Sequence, residues 1–286
     1  MRRLLSLILC LSILSTLLCV PASANSATTT DSTNAYVQLS DNTYLIAEDL
    51  PNGNAKFSIS DSNGDILAES YLNRSNQTIY NTDSRTGNEV ISIPATNQPL
   101  TSTNEAMSSS SDIPSGFTYR GKITYNFYGN TDHIVGTRDL NIYYDYDYYA
   151  GSRYNVTGTY QNIASFASLL ASLLALPAAI AASSAAIILA RFSIATGAIS
   201  FFIPDHYVRC NETQITWLGQ MTDFTDVYAT ITGSQFVLTE EGYESQTFTS
   251  GDFWPLSSFA DRNTNFAVKI YWTVLGQDIL EIVSWS

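Results

Sequence analysis

The sequence predicts an α+β fold: an antiparallel, tyrosine-rich β-sheet domain enclosing an Ala/Leu-rich apolar helical hairpin, preceded by a small β meander. Three observations carry that reading. Apolar residues alternate with period two from Phe117 to Phe127 and from Leu140 to Tyr148; Ile163 to Ala190 runs 28 residues without a charge; and short strand-type runs separated by turn sequences precede Thr96.

At the start of the chain, Arg2 and Arg3 form a positive n-region and Leu4 to Val20 an apolar h-region. Ala22-Ser23-Ala24 is a small-residue cleavage site before Asn25, so residues 1–24 read as a Sec signal peptide and the protein as secreted. Cys10 and Cys19 leave with that leader, and Cys210 becomes the sole cysteine of the mature chain. With one thiol there is no internal disulfide, so stability must come from a packed core.

Residues 25–34 are Ser/Thr/Ala-rich and read as a flexible spacer. From 35 to 96, strands are expected at Thr43–Ala47, Ala55–Ser60 and Ile66–Tyr71, with Pro51-Asn52-Gly53 and Asp61-Ser62-Asn63-Gly64-Asp65 as turns. So small a region, with few large apolar residues, would be marginal alone. A propeptide, a chaperone-like segment and a spacer are its three readings. Asp61, Asn63 and Asp65 resemble the opening of a calcium loop, but the glycine is misplaced and the twelfth position is Leu72, which leaves a plain hairpin turn. Residues 97–116 are low in complexity and mark a linker before an α+β domain at 117–286.

That domain opens with the two alternating strands, joined by a loop at Gly129 to Gly136; ten of the chain's 18 tyrosines fall between Tyr119 and Tyr160. In the hairpin segment 163–203, Ile163, Phe166, Leu169, Leu170, Leu173 and Leu174 repeat at helical spacing, with small residues opposite. Leu176-Pro177 breaks the pattern, and Ala178 to Ala186 are small except for Ile180. Ile187, Ile188 and Leu189 complete the apolar run before Arg191, the segment's one ionisable side chain. Further strands are expected at Tyr207–Arg209, Gln214–Leu218, Val227–Ile231, Phe236–Thr239 and Ile279–Trp285, with Thr232-Gly233-Ser234-Gln235 as a tight hairpin. Residues 264–275 fit strand and helix equally.

Charge bounds the partners. Thirteen basic against 26 acidic residues give a formal charge of −13, which disfavours nucleic acid and anionic lipid head groups. No HExxH, GxSxG or glycine-rich phosphate loop is present, and the only histidines are His133 and His206. His206 and Cys210 lack further partners for a nucleophile pair or a metal site. Asp145 and Asp147 share a side of one strand, as paired carboxylates or as a solvated edge. The expectation is no enzyme, no cofactor and no metal.

With the Sec leader, the aromatic segment TYRGKITYNFYG and the hairpin IASFASLLASLLALPAAIAA resemble the geobacillin-type large secreted bacteriocins of Gram-positive bacteria. The resemblance implies a heat-labile antimicrobial protein directed against related cells. The hairpin is also similar in kind to the buried hairpin of pore-forming colicins, although its strand-rich surroundings depart from that all-helical fold. Two functions follow as expectations. The first is an antimicrobial protein that inserts Ile163, Phe166, Leu169, Leu170, Leu173, Leu174, Pro177, Ile180, Ile187, Ile188 and Leu189 into a target membrane. The alternative is a surface-binding or adhesion module with the hairpin as inert core, in which Tyr143, Tyr144, Tyr146 and Tyr148 present flat, polar-tipped rings to a receptor or glycan.

Overall fold

The computed structural model describes residues 34–39, 42–83, 87–92, 113–128, 135–194, 200–221, 227–276 and 281–286. The expected leader, nearly all of the spacer, residues 97–112 of the linker and residues 129–134 of the expected loop lie outside them. The fold is α+β; among the described residues it has two large antiparallel sheets and a short two-stranded ribbon, and it divides into two compact units. The first takes in residues up to Ile93 with Tyr160–Ala171 and Ala178–Phe201; the second takes in Pro94–Thr159, Ser172–Pro177 and Phe202–Ser286.

The first unit is a six-stranded meander in sequence order. Its strands are β1 (Asn34–Gln38), β2 (Tyr44–Asp49), β3 (Ala55–Ser60), β4 (Ile66–Asn73), β5 (Thr78–Asp83) and β6 (Gly87–Ser92). Three of these were legible beforehand. Strand alternation puts Leu45, Ala47, Phe57, Ile59, Leu72 and Ile79 on one buried face. The β3–β4 turn is closed by Asp61, whose Oδ1 accepts the backbone N–H groups of Asn63 and Asp65 at 2.8 and 2.9 Å.

The hairpin helices, α1 (Ile163–Leu173) and α2 (Ala178–Arg191), belong to this unit along most of their length, with α2 lying against β1, β2 and β3. This corrects the expectation that the tyrosine-rich sheet of a 117–286 domain encloses them. Among the described residues the apolar face of the meander is covered by the hairpin, which begins only at Ile163. Leu174 to Pro177 make the turn, with Ala175 at φ 52° closing α1 in the left-handed conformation.

Polar groups fix where the hairpin sits. Asn162 caps α1 by accepting the Ser165 N–H at 3.0 Å, the Ser165 hydroxyl returns the bond from the Asn162 N–H, and the Asn162 amide donates to Asp83 on β5 at 3.3 Å. Buried Ser168 lies 2.6 Å from Ser70 on β4, whose hydroxyl also donates to Asn81. At the start of α2, the Ala178 N–H donates to Asp49 Oδ1 at 2.9 Å, a helix N-terminus capped from a neighbouring strand. Burial in the same region pulls the Arg74 guanidinium down to about 10, with the Asp49 charge opposing that shift.

Burial pushes the Asp49 carboxyl above its usual value, against the Ala178 N–H and the Arg74 charge. Between the unfolded and folded values the folded state holds more proton, so the Asp49 contribution to stability falls as pH rises through that window and grows on acidification. Compared by urea unfolding at pH 7 and pH 4.5, the native chain is expected to gain stability over Asp49→Asn at the lower pH. Acid therefore does not loosen the hairpin through this cap.

The second unit is a seven-stranded sheet in the order β14-β13-β12-β8-β7-β15, with β9 also on β12. The strands are β7 (Thr118–Tyr128), β8 (Val135–Tyr149), β9 (Arg153–Asn155), β12 (Tyr207–Met221), β13 (Val227–Glu240), β14 (Gln246–Gly251) and β15 (Glu281–Trp285). A short ribbon, β10 (Gly158–Tyr160) with β11 (Phe201–Ile203), flanks the hairpin in sequence. Helices α3 (Ser257–Ala260) and α4 (Thr264–Leu275) complete the architecture.

Residues 264–275, ambiguous in sequence, are helical because both ends are capped. Asn263 accepts the Asn265 and Phe266 N–H groups, and Gly276 terminates the helix at φ 67°. Phe266, Ala267, Ile270, Tyr271 and Val274 then form the buried stripe over the sheet. Gly219 permits that approach, since a Cβ there would lie 2.6 Å from Ile270 Cγ2. The expected tight hairpin at Thr232 to Gln235 is a second correction. Those residues run through the middle of β13, and Gly233 serves a close crossing instead, with a Cβ there falling 2.1 Å from the Phe253 nitrogen.

Candidate functional site

The hairpin residues expected to meet a membrane are almost all interior. Ile163, Phe166, Leu170, Ile188 and Leu189 are fully covered, Leu173, Leu174 and Ile180 nearly so, and Leu169, Pro177 and Ile187 half-buried. Phe166 meets Tyr160 and Phe201 edge-on at 4.8 and 6.1 Å. Helices of 11 and 14 residues measure about 16 and 21 Å, short of a hydrocarbon layer of about 30 Å. No helix among the described residues is long and apolar enough to cross a membrane.

Tyr143, Tyr144, Tyr146 and Tyr148 of β8 do not form one surface. Tyr144 leans on buried Trp217 at 5.9 Å and belongs to the core. Tyr143 points the other way, edge-on to Tyr119 at 5.3 Å with its hydroxyl 3.5 Å from Gln220. Tyr146 and Tyr148 share the Tyr144 face but lie past the cover given by α4, and they remain 45% and 55% exposed.

Strand register brings further residues to that face. Tyr148 pairs with Thr213, Thr213 with Gln235, and Gln235 with Thr249, so one row crosses β8, β12, β13 and β14. The row beside it is Tyr146, Ile215, Gly233 and Gly251, and the Asp252–Phe253 backbone passes over Gly233. Alternation alone made the two exposed tyrosines readable. Thr213, Gln235 and Thr249 carry no such signal, because only the pairing of four strands aligns them.

His206 and Cys210 do not pair. The His206 ring, 4% exposed, places Nε2 3.2 Å from Glu240 Oε2, and its backbone N–H donates to Thr157 at 3.0 Å. The Cys210 sulfur lies 3.7 Å from the Asn211 carbonyl, and burial, with Glu212 adding to it, pushes the thiol up to about 12. A thiol held there stays protonated and is a poor nucleophile. We expect alkylation of Cys210 by iodoacetamide at pH 8 to be at least 100-fold slower in the folded chain than in 6 M guanidinium, followed by mass. Asp145 and Asp147 face away from Tyr146; burial raises the Tyr149 phenol, and the charges of Asp147, Glu212 and Asp145 add to it. No cluster of three or more His, Cys, Asp or Glu able to hold a metal occurs among the described residues.

The chain matches no protein-family model, no curated protein sequence and no solved structure.

Proposed function

We propose that the protein is an exported surface-binding module in which the apolar hairpin is structural core and the exposed face around Tyr146 and Tyr148 is the working surface. One observation carries the reading: two large aromatic rings stay about half-exposed on a sheet face whose other half is closed by a helix. Isolated exposed tyrosines are ordinary, whereas two on one strand, in line with hydroxyl and amide side chains, make a contact surface. The hairpin supports it indirectly. Its capped ends and its hydrogen bonds to Asp49, Ser70 and Asp83 suit permanent packing.

The test compares binding with membrane damage. A chain of residues 25–286 is expected to be retained on isolated Gram-positive cell walls, with retention reduced at least fivefold by Tyr146→Ala with Tyr148→Ala. It is expected to release no dye from phosphatidylcholine/phosphatidylglycerol vesicles at pH 7 or pH 5. Dye release by the folded chain would overturn this reading in favour of the membrane-active antimicrobial, as would wall binding indifferent to both tyrosines.

A further inference from the structure

The geometry points to a neutral polysaccharide as the ligand, lying across the strands along the row Tyr148–Thr213–Gln235–Thr249; this deepens the binding-module reading and rests on it. Three strand spacings of about 4.8 Å make the row roughly 14 Å long. Among the described residues no further strand closes either end: at one end β14 is the outermost strand of its sheet, and at the other β7 pairs with β8 only as far as Tyr144. An open track of this kind suits a chain that continues past the site, where a closed pocket would suit a single sugar.

The side chains match a polyol. Tyrosine rings offer flat apolar faces to the C–H faces of a sugar ring, while threonine hydroxyls and the glutamine amide each donate and accept, as sugar hydroxyls require. The row holds no charged side chain. The nearest carboxylate on the crossing segment, Asp252, is paired with Lys269 at 3.2 Å, and Arg209, further along the same face of β12, donates to Asn211 at 3.0 Å. Arg209 keeps its charge in that bond to a neutral amide but lies outside the row, and the formal charge of −13 on the whole chain disfavours an anionic polymer.

A protein partner fits less well. Hot spots at protein interfaces are rich in Trp, Tyr and Arg and poor in Thr, whereas two of the four row positions are threonine. The Asp252–Phe253 segment crosses the adjacent row and borders the track along one side. A bound chain would therefore lie in a shelf, with Tyr146 at its corner and Tyr148 as the stacking base.

The experiment is affinity gel electrophoresis of the full chain in native gels containing laminarin, galactomannan or dextran, with heparin and polygalacturonate as anionic comparators. We expect retardation by at least one neutral polysaccharide. Tyr148→Ala should weaken it tenfold or more, Gln235→Ala threefold or more, and Tyr148→Phe should keep it within twofold, since stacking survives loss of the hydroxyl. Binding confined to the anionic polymers, no retardation by any neutral one, or an unchanged Tyr148→Ala would overturn the inference. If that happens while cell-wall retention still depends on the tyrosines, the binding-module reading stands and only the ligand class falls; loss of both would remove both.

Discussion

A chain that begins at Ile113, and so lacks β1 to β6, is expected to aggregate and to lose the cooperative melting of its helices. Leu45, Phe57, Ile59, Leu72 and Ile79 are each at most 4% exposed, and they form the apolar layer the hairpin needs opposite it. Five large side chains at about 1.5–3 kcal/mol each represent roughly 7–15 kcal/mol of burial, as much as the whole net stability of an ordinary domain. The truncation also strips partners from the Ala178 N–H, Ser168 and Asn162, each loss costing about 1–3 kcal/mol in a buried site. Size-exclusion chromatography and far-UV melting read the result, and supplying residues 34–92 as a separate chain should rescue it. A soluble, monomeric, cooperatively melting truncation would show that the meander is dispensable, as a removable propeptide would be.

The meander's dependence on a distant hairpin explains what was legible in the sequence and what was not. Period-two alternation found β7 and β8, and period 3.6 with the break at Pro177 found α1 and α2, because those signals are local. Which sheet receives the helices is not local. Either sheet offers an apolar face, and the choice is made by hydrogen bonds between residues about 80 to 130 positions apart, Asn162 with Asp83, Ser168 with Ser70 and Ala178 with Asp49. Each is a small polar group in an apolar setting, costly to bury unless its partner is in place. They give the packing a single register where alanines and leucines alone would tolerate several.

Gly233 misled for a related reason. Thr-Gly-Ser-Gln has turn composition, and a turn there splits β13 into two expected strands. The glycine instead answers to the backbone of Asp252 and Phe253 pressing on it from the same face, a requirement that no reading of the neighbouring residues contains. The candidate site divides along the same line. Tyr146 and Tyr148 were visible as alternating residues, whereas the threonines and the glutamine that turn two rings into a track are assembled by three strand pairings. Composition had already narrowed the ligand by charge; the row of neutral hydroxyl and amide groups narrows it by chemistry.

The second large effect is expected from Trp217→Ala, set against Trp272→Ala. Trp217 is completely buried, packs edge-on to Phe266 at 4.6 Å, and donates its indole N–H to the Trp254 carbonyl at 2.7 Å. Removing a side chain of that size from a close-packed core costs about 3–5 kcal/mol, and the loss leaves the Trp254 carbonyl without its donor. For a domain of this size that corresponds to a fall in melting temperature of roughly 6–20 °C. Trp272 lies on α4 yet is 48% exposed, because the helical period that buries Phe266, Ile270 and Val274 turns it outward. Its replacement by alanine should change stability by about 0.5 kcal/mol or less, the scale of ordinary surface positions. Were residues 264–275 a strand, Phe266, Val268, Ile270 and Trp272 would share the buried face and Trp272→Ala would cost as much as Trp217→Ala. Calorimetry on the two variants therefore tests the packing of α4 and, through Trp217 and Trp254, the footing of the Asp252–Phe253 segment that borders the track.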